Sequence, residues 1–160
     1  MGDVEKAFAF ALGLLARRDR SIREMERKLH DRSYPATVCG EVIARLSNSG
    51  YLDDRRFAER WAESAVRNGR GYGPRLRQEL LRKGISREIV TEVVAGISAD
   101  YDEFEMLSAL VAEKFARFDP VTATDRDKKR VVAYLQRRGF SLAVIFNLFN
   151  ARDGFRSVSE

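Results

Sequence analysis

At 160 residues the chain is long enough to bury a sizeable core, and its 44% hydrophobic and 33% charged residues are typical of a folded domain with a highly charged surface. The net charge of +5 favours a polyanionic partner, although it would also suit a merely soluble protein. The single cysteine, Cys39, excludes a disulfide within the chain and a thiolate metal cluster, and it favours the reducing cytoplasm.

The first predicted helix contains the longest apolar run of the chain, residues 7–16. Its alanines and leucines recur at helical spacing. The run is too short to span a bilayer, and it follows Asp3 and Glu5 rather than the basic segment of a signal peptide. We therefore expect a core helix and no membrane partner.

The next two helices have clear boundary signals. Ser21-Ile22-Arg23-Glu24 has the spacing of a capping box and predicts the start of the second helix. Pro35 predicts the start of a third helix that ends near Asn48, because Gly50 can adopt positive φ without a Cβ clash. Asp53 is the predicted N-cap of the following helix.

Two further groups of three helices follow in the same order. In chain order they are predicted over residues 54–67, 74–83, 86–97, 100–118, 125–138 and 141–150. Gly84 and Gly139 each follow the middle helix of a group and precede a serine by two positions. This arrangement predicts a helix stop followed at once by a new N-cap.

One apolar skeleton recurs in all three groups. It consists of two apolar residues four apart, a third residue nine positions later, and an adjacent pair after four more positions. Its copies are Met25, Leu29, Val38, Val42 and Ile43; Leu76, Leu80, Ile89, Val93 and Val94; and Val131, Leu135, Val144, Leu148 and Phe149. The copies are offset by 51 and then 55 residues, a spacing that indicates a tandem array.

The skeleton predicts an all-α protein built as a tandem array of three three-helix, helix-turn-helix-like repeats, elongated or curved in shape. We expect repeat 1 at residues 1–52, repeat 2 at 53–98, repeat 3 at 99–152 and a flexible C-terminal tail at 153–160. Such an array presents an extended surface rather than a pocket.

Two segments of the chain are strongly basic. Glu79 is the only acid within residues 67–87, and Asp127 is the only acid within 126–138. If the repeats stack in register, these cations could form a stripe that follows a phosphate backbone. The candidate binding residues are Arg67, Arg70, Tyr72, Arg75, Arg77, Arg82, Lys83, Arg126, Lys128, Lys129, Arg130, Arg137 and Arg138.

Part of this charge has a structural explanation. Lys83 and Arg138 lie at helix ends, where a cation stabilises the negative helix terminus whatever the function. Arg70, Arg75 and Arg77 precede a helix or lie early in it, where positive charge is unfavourable, so they are the stronger functional candidates.

The aromatic residues also divide into those expected in the core and those that could contact a partner. Trp61 and Phe57 have the spacing of a core pair. Tyr72, between Gly71 and Gly73 in a basic segment, is expected to be exposed. Phe146 fits the packing face of the last helix, although a terminal repeat can leave such a face for a partner.

The reactive side chains argue against an enzyme. His30 is the only histidine, and Cys39 has no obvious second metal ligand nearby. We expect no catalytic residue, no metal site and no cofactor.

A local sequence pattern adds a further indication. It begins with Arg20-Ser21 followed by Glu24, Lys28 and Leu29, and its most specific stretch is Gly50-Tyr51-Leu52-Asp53-Asp54-Arg55-Arg56-Phe57-Ala58. The pattern continues through Gly71, Arg75-Leu76-Arg77-Gln78-Glu79-Leu80 and Lys83-Gly84-Ile85. At these residues the chain resembles the RecX family of bacterial recombinase regulators, most strongly over residues 16–97 and more weakly in the final repeat.

The resemblance implies a regulator of homologous recombination, DNA repair and the SOS response. Such a protein would bind the RecA filament on DNA and inhibit its ATP hydrolysis and strand exchange. Our hypothesis is that the basic candidates contact the filament and, with weak and salt-sensitive affinity, single-stranded or duplex DNA, and that the protein acts as a monomer. The residues alone leave two other classes open: a helical DNA-binding protein of the transcription-factor type and a non-enzymatic adaptor between proteins.

Overall fold

The computed structural model describes residues 2–157, with side chains through Arg152. The described residues form nine α-helices in three successive groups of three. They are α1 (Asp3–Leu15), α2 (Ile22–Asp31), α3 (Ala36–Asn48), α4 (Asp54–Arg67), α5 (Gly73–Arg82), α6 (Arg87–Asp100), α7 (Glu103–Lys114), α8 (Asp125–Arg137) and α9 (Leu142–Ser157). The prediction of an all-α protein with tandem three-helix repeats is confirmed.

The helix boundaries follow the predicted caps. Ser21, Asp53 and Ser141 each accept a hydrogen bond from the amide three residues further along, at 3.1, 3.0 and 3.3 Å. Gly84 and Gly139, after the middle helices of repeats 2 and 3, have φ of +84° and +99°. These contacts satisfy backbone groups that a helix end would otherwise leave unpaired.

Several helix boundaries differ from the prediction. α6 extends to Asp100 rather than 97, and α7 begins at Glu103 rather than 100. α7 ends at Lys114 rather than 118, because Phe115 and Phe118 turn back to pack on Tyr134 and Phe149, with ring centroids 5.2 and 5.4 Å apart. α9 runs to Ser157 instead of ending near residue 150. Residues 153–157 of the predicted flexible tail therefore continue this helix, and residues 158–160 lie outside the described part of the chain.

The repeated apolar skeleton forms the core of each repeat. Its first two members are at most 1% exposed in every copy: Met25, Leu29, Leu76, Leu80, Val131 and Leu135. Its third member is half-buried in every copy, at Val38, Ile89 and Val144. The first four positions thus have the same burial in all three repeats, and the predicted register is confirmed. The fifth position differs, because Phe149 is buried whereas Ile43 and Val94 are half-buried.

The described residues pack as two compact units. Unit 1 contains the described residues up to Trp61 together with Glu79–Val93, and unit 2 contains Ala62–Gln78 together with the described residues from Val94 onward. In unit 1, α1 and α2 pack against α3; in unit 2, α7 and α8 pack against α9. The repeat boundaries at residues 52 and 98 stay a prediction. Within residues 2–157, no helix is long and apolar enough to cross a membrane.

Candidate nucleic-acid interface

The candidate cations lie on α4, α5 and α8 and on the turns that follow these helices. Eight are exposed: Arg67, Arg70, Arg77, Arg82, Arg126, Lys129, Arg130 and Arg137. Four are half-buried: Arg75, Lys83, Lys128 and Arg138. Arg82 and Lys83 belong to unit 1 and the other candidates to unit 2. Most of the predicted set is therefore accessible within its own unit.

Tyr72 is buried, with only 6% of its surface exposed, so the expectation of an exposed ring is wrong. Its ring stacks on Phe140 with centroids 5.6 Å apart, and its hydroxyl donates to the Tyr101 carbonyl oxygen at 2.7 Å. Burial of the ring raises the pKa of the Tyr72 hydroxyl, which therefore stays neutral. A tyrosine whose hydroxyl finds a partner inside the protein gains from burying its apolar body. Tyr72 thus holds the structure around it together and offers no ring to a partner.

Tyr72 is the centre of a contact in unit 2 that we call the second junction. Its backbone N–H donates to the Arg138 carbonyl oxygen at 2.8 Å, which joins the start of α5 to the end of α8. A Cβ added to Gly139 would lie 2.0 Å from the Tyr72 carbonyl oxygen and 2.8 Å from Arg75 Cβ. Only glycine permits this approach. It brings Arg75 beside Arg138, one from each predicted basic segment.

Unit 1 contains a matching contact, the first junction. The Ser21 hydroxyl donates to the Lys83 carbonyl oxygen at 2.7 Å, which joins the start of α2 to the end of α5. The Ile22 N–H donates to Asp54 Oδ1 at 2.9 Å. A Cβ added to Gly84 would lie 2.3 Å from Arg23 Cδ, so the Arg23 side chain crosses this glycine closely. Arg23 and Lys83 are therefore neighbours.

The two junctions occupy the same positions in successive repeats. Ser21 and Tyr72 are 51 residues apart, and Lys83 and Arg138 are 55 apart; these are the two offsets of the apolar skeleton. In each junction, the start of one middle helix contacts the end of the next middle helix in the chain. The sequence repeat is thus also a repeat of contacts. Each contact places an arginine near the second cation, although Arg23 and Arg75 are 52 positions apart and so are not equivalent in the repeat.

The second cation of each junction lies over an aromatic ring. Lys83 Nζ is 5.5 Å from the centroid of the half-buried Trp61 ring, and the Arg138 guanidinium is 5.0 Å from the Tyr134 centroid. Arg138 also donates to the Arg70 carbonyl oxygen at 3.1 Å. The predicted core partner of Trp61, Phe57, is buried. These contacts hold the cationic groups of Lys83 and Arg138 in fixed positions. Among the side chains that the structure describes, no carboxylate forms an ion pair with either group.

Other candidate cations are engaged by acids. Arg67 lies 2.7 Å from the Glu63 carboxylate and donates to the Tyr101 hydroxyl at 3.0 Å. The Tyr101 hydrogen bond and the Glu63 charge raise the pKa of Arg67. Arg130 lies 3.9 Å from Asp127. A polyanion that bound Arg67 would compete with Glu63, so this arginine is the weakest member of the predicted set.

Sequence reasoning missed Arg23 as a member of the site. The signal available in the sequence was the shared position of Gly84 and Gly139, which marks where two helix ends approach closely. Which arginine crosses each glycine depends on contacts between residues far apart in the chain. Among the described residues, no group of three or more His, Cys, Asp or Glu side chains is placed to hold a metal ion.

Fixed cations at a repeated spacing can pair with the phosphates of a nucleic acid or with the carboxylates of an acidic protein surface. Neither role needs convergent catalytic groups. Phosphate contacts release condensed counterions, so the affinity that they provide falls steeply as salt rises.

Three family models match successive parts of the chain. They describe the first three-helix domain of RecX at residues 7–46, the second at 53–94 and the third at 100–149. Each match falls on one of the three helix groups.

Relatives of similar length also match. The chain is 40% identical over 139 residues to the regulatory protein RecX of Trichlorobacter lovleyi, covering 87% of this chain and 90% of that one. It is 32% identical over 144 residues to the regulatory protein RecX of Syntrophotalea carbinolica, covering 90% and 94%. The crystal structure of RecX from Lactobacillus salivarius shares the fold, with a TM-score of 0.74 at 20% identity, covering 94% of this chain and 97% of that one. The chain therefore belongs to the RecX family of regulatory proteins.

Proposed function

We propose that this protein binds the nucleoprotein filament of a RecA-type recombinase and restrains its ATP hydrolysis and strand exchange. In this role it regulates homologous recombination and DNA repair. The observation that carries the proposal is the pair of junctions, which place Lys83 and Arg138 at matching positions of successive repeats. Arg23 packs on Gly84 beside Lys83, and Arg75 packs on Gly139 beside Arg138.

A repeated cationic contact suits a repeating partner. A filament presents the same protein surface and the same phosphate spacing again and again, so a chain with one contact per repeat gains affinity from several weak contacts at once. Charge is the main attraction in such binding, and it acts without a catalytic site. The protein's role is therefore regulatory and needs no cofactor.

The proposed contact residues are exposed or half-buried cations of α5, of the turns beside it and of α8. They are Arg70, Arg75, Arg77, Arg82, Lys83, Lys129 and Arg130. Tyr72 supports them from inside, through its bond to the Arg138 carbonyl and its stacking on Phe140. Bare single-stranded or duplex DNA binds the same cations more weakly, and the protein acts as a monomer in the cytoplasm.

The direct test is RecA ATP hydrolysis on single-stranded DNA while this protein is titrated at two salt concentrations. We expect inhibition at the lower salt and a several-fold weaker effect at the higher salt, because counterion release is less favourable there. Absence of inhibition at both concentrations would refute the proposal.

Three exposed cations of the proposed contact set provide a test variant. Arg77→Ala, Arg82→Ala and Arg130→Ala together remove three charges from exposed sites of α5 and α8. We expect at least about tenfold weaker inhibition and a shallower salt dependence by about one unit per lost contact. The matched control replaces three exposed cations elsewhere, Lys6, Arg27 and Arg117, and should inhibit as the unmodified protein does. Circular dichroism checks that both variants keep their helices.

The same experiments separate the other two classes. Tight binding to one short duplex sequence without recombinase would favour a transcription factor. Inhibition that is equal at both salt concentrations and unchanged in the triple variant would favour an adaptor that binds through uncharged contacts.

A further inference from the structure

Unit 2 contains an apolar groove that shares only Lys129, at its edge, with the proposed filament contacts. We call it the α8–α9 groove; its volume is about 350 Å³. It is lined by Lys128, Lys129, Val132, Ala133 and Gln136 of α8 and by Phe146 and Phe149 of α9. On α8 these residues recur at intervals of three and four positions, which places them along one face of the helix. The groove is thus a strip between two packed helices.

One large apolar side chain of the groove, Phe146, and one earlier on the same helix, Leu142, are exposed to solvent. Phe146 is 51% exposed, and Leu142, four residues earlier on α9, is 43% exposed. Phe149 beneath them is buried and held against Phe118, with ring centroids 5.4 Å apart. An exposed aromatic side chain next to a buried, well-packed one is typical of a surface that a partner covers.

The charge at the edge of the groove selects the partner. Lys128 and Lys129 line it, and among the described side chains no carboxylate lies within ion-pair distance of either ammonium group. Arg130, the next residue, contrasts with them, since it lies 3.9 Å from Asp127. A segment that fills the groove would place its own charges beside these two lysines. Acidic side chains are therefore favoured there, and basic ones are excluded by repulsion.

The lining favours a peptide over a nucleic acid. A phosphate backbone gains nothing from contact with Val132 and Ala133, whereas Leu and Phe side chains of a peptide lose unfavourable hydration there. A nucleobase could stack on Phe146 alone, but it would leave the aliphatic part of the strip uncovered. A groove between two helices is also the usual receptor for an amphipathic helix with apolar anchors one turn apart.

We propose that the α8–α9 groove docks an acidic amphipathic helix of a partner protein. Two apolar side chains of that helix, three or four residues apart, pack on Phe146 and Val132, and its carboxylates face Lys128 and Lys129. Lys129 belongs to both proposed surfaces, but Phe146 and Val132 lie outside the filament contacts, so either interaction could exist without the other.

The probe is a short fluorescein-labelled peptide with Phe and Leu four residues apart in a helix otherwise rich in Glu and Asp. Fluorescence anisotropy measures its binding to the full chain. We expect binding that weakens by about tenfold or more in Phe146→Ser, because that change removes the exposed anchor surface. The matched control is Tyr51→Ser, which removes an equally exposed aromatic residue, at 54%, from unit 1 and should bind the peptide unchanged. A control peptide with Ser at both apolar positions should not bind.

A charge exchange tests the second half of the proposal without relying on Phe146. Lys128→Glu with Lys129→Glu should weaken binding of the acidic peptide by about three- to tenfold or more and should favour a peptide of the same apolar pattern that carries Lys instead. The control double variant, Lys6→Glu with Arg27→Glu, should keep the preference for the acidic peptide. Circular dichroism establishes that each variant is helical.

Three results would overturn the proposal. The first is equal peptide affinity in Phe146→Ser and the unmodified protein. The second is a charge-exchanged variant that keeps its preference for the acidic peptide. The third is loss of single-stranded DNA binding in Phe146→Ser with no peptide binding to the unmodified protein, which would make the groove a base-stacking surface.

Discussion

Each junction pairs the backbone carbonyl that follows a middle helix, but the two junctions use different hydrogen-bond donors. In the first junction, the Ser21 hydroxyl donates to the Lys83 carbonyl, and the backbone N–H of Ile22 donates to the half-buried Asp54 carboxylate. In the second junction, the backbone N–H of Tyr72 donates to the Arg138 carbonyl, and the tyrosine ring is buried against Phe140. The first junction is polar, and the second is mainly apolar.

This difference shows what a helical repeat must keep and what it can change. The carbonyl at the end of each middle helix needs a donor, because an unpaired buried carbonyl costs free energy. A side-chain hydroxyl and a backbone amide both meet that need. The glycine that follows the carbonyl is kept in both junctions, since the close approach of the neighbouring helix leaves no room for a Cβ.

The largest expected effect is that of alanine at the junction glycines. Gly139→Ala places a Cβ against the backbone oxygen of Tyr72 at a φ of +99°, so we expect about 3–5 kcal/mol lost from the free energy of unfolding. Gly84→Ala meets only the Arg23 side chain and should lose about 2–3 kcal/mol. Gly50→Ala, with positive φ and no atom within 4 Å, isolates the backbone strain at about 1 kcal/mol. Urea denaturation followed by circular dichroism measures the series, and a reversed order would show that the contacts at Gly139 yield easily.

Side-chain truncation should separate the polar junction from the apolar one. Tyr72→Ala removes the buried ring and should lose about 3–5 kcal/mol of unfolding free energy. Tyr72→Phe keeps the ring on Phe140, loses the hydroxyl and its bond to the Tyr101 carbonyl, and should lose about 1 kcal/mol. Ser21→Ala loses the cap and the bond to Lys83 and should lose about 1–2 kcal/mol. If Ser21→Ala lost as much as Tyr72→Ala, the distinction between the junctions would fail.

The smallest effect is a pH dependence confined to the first junction. Burial raises the pKa of Asp54 above its ordinary value of 3.8, so the folded state is favoured by protonation, and stability falls as pH rises from 3.8 through the folded pKa. Asp54→Asn keeps an acceptor for the Ile22 amide and should remove this decline, leaving the stability within about 1 kcal/mol of the unmodified protein at neutral pH.

Glu24, in the first turn of α2, should give a pH dependence of stability opposite in sign to that of Asp54. Burial would raise the pKa of its carboxyl, but the hydrogen bonds and charges of Arg18 and Arg20 lower it below 4.5. Its contribution is present above pH 4.5 and is lost as pH falls through the folded pKa, so Glu24→Gln should be less stable at neutral pH by about 1 kcal/mol and should converge with the unmodified protein in acid. The two pH predictions are tested by measuring the unfolding free energies of Asp54→Asn and Glu24→Gln from about pH 3 to 7. Parallel curves for the two variants would contradict the opposite signs.

Local sequence determined most of the helix boundaries. Ser21, Asp53 and Ser141 cap the helices that were predicted to begin beside them, because a cap bond joins atoms only three residues apart. The end of α7 was predicted wrongly. Phe115 and Phe118 leave the helix to reach Tyr134 and Phe149, which are distant in the chain and exert no influence on local propensity.

The candidate site was predictable only in part. Composition identified the two basic segments, since charge can be counted along the chain without knowing the fold. It gave no means of finding that Tyr72 is buried or that Glu63 engages Arg67. It also did not reveal that Arg23 lies beside Lys83, because residues 62 positions apart, such as Ser21 and Lys83, must first be brought together.

The sequence by itself determined the family, the all-α class, the three helix groups and the register of their cores, because helical periodicity and caps act over a few residues and repeat with the chain. Tertiary structure alone decided which cations become neighbours, which aromatic ring is buried and where an apolar face stays uncovered at Phe146. These features depend on close approaches between distant helix ends, such as that at Gly139, where the space available to a single Cβ selects the arrangement.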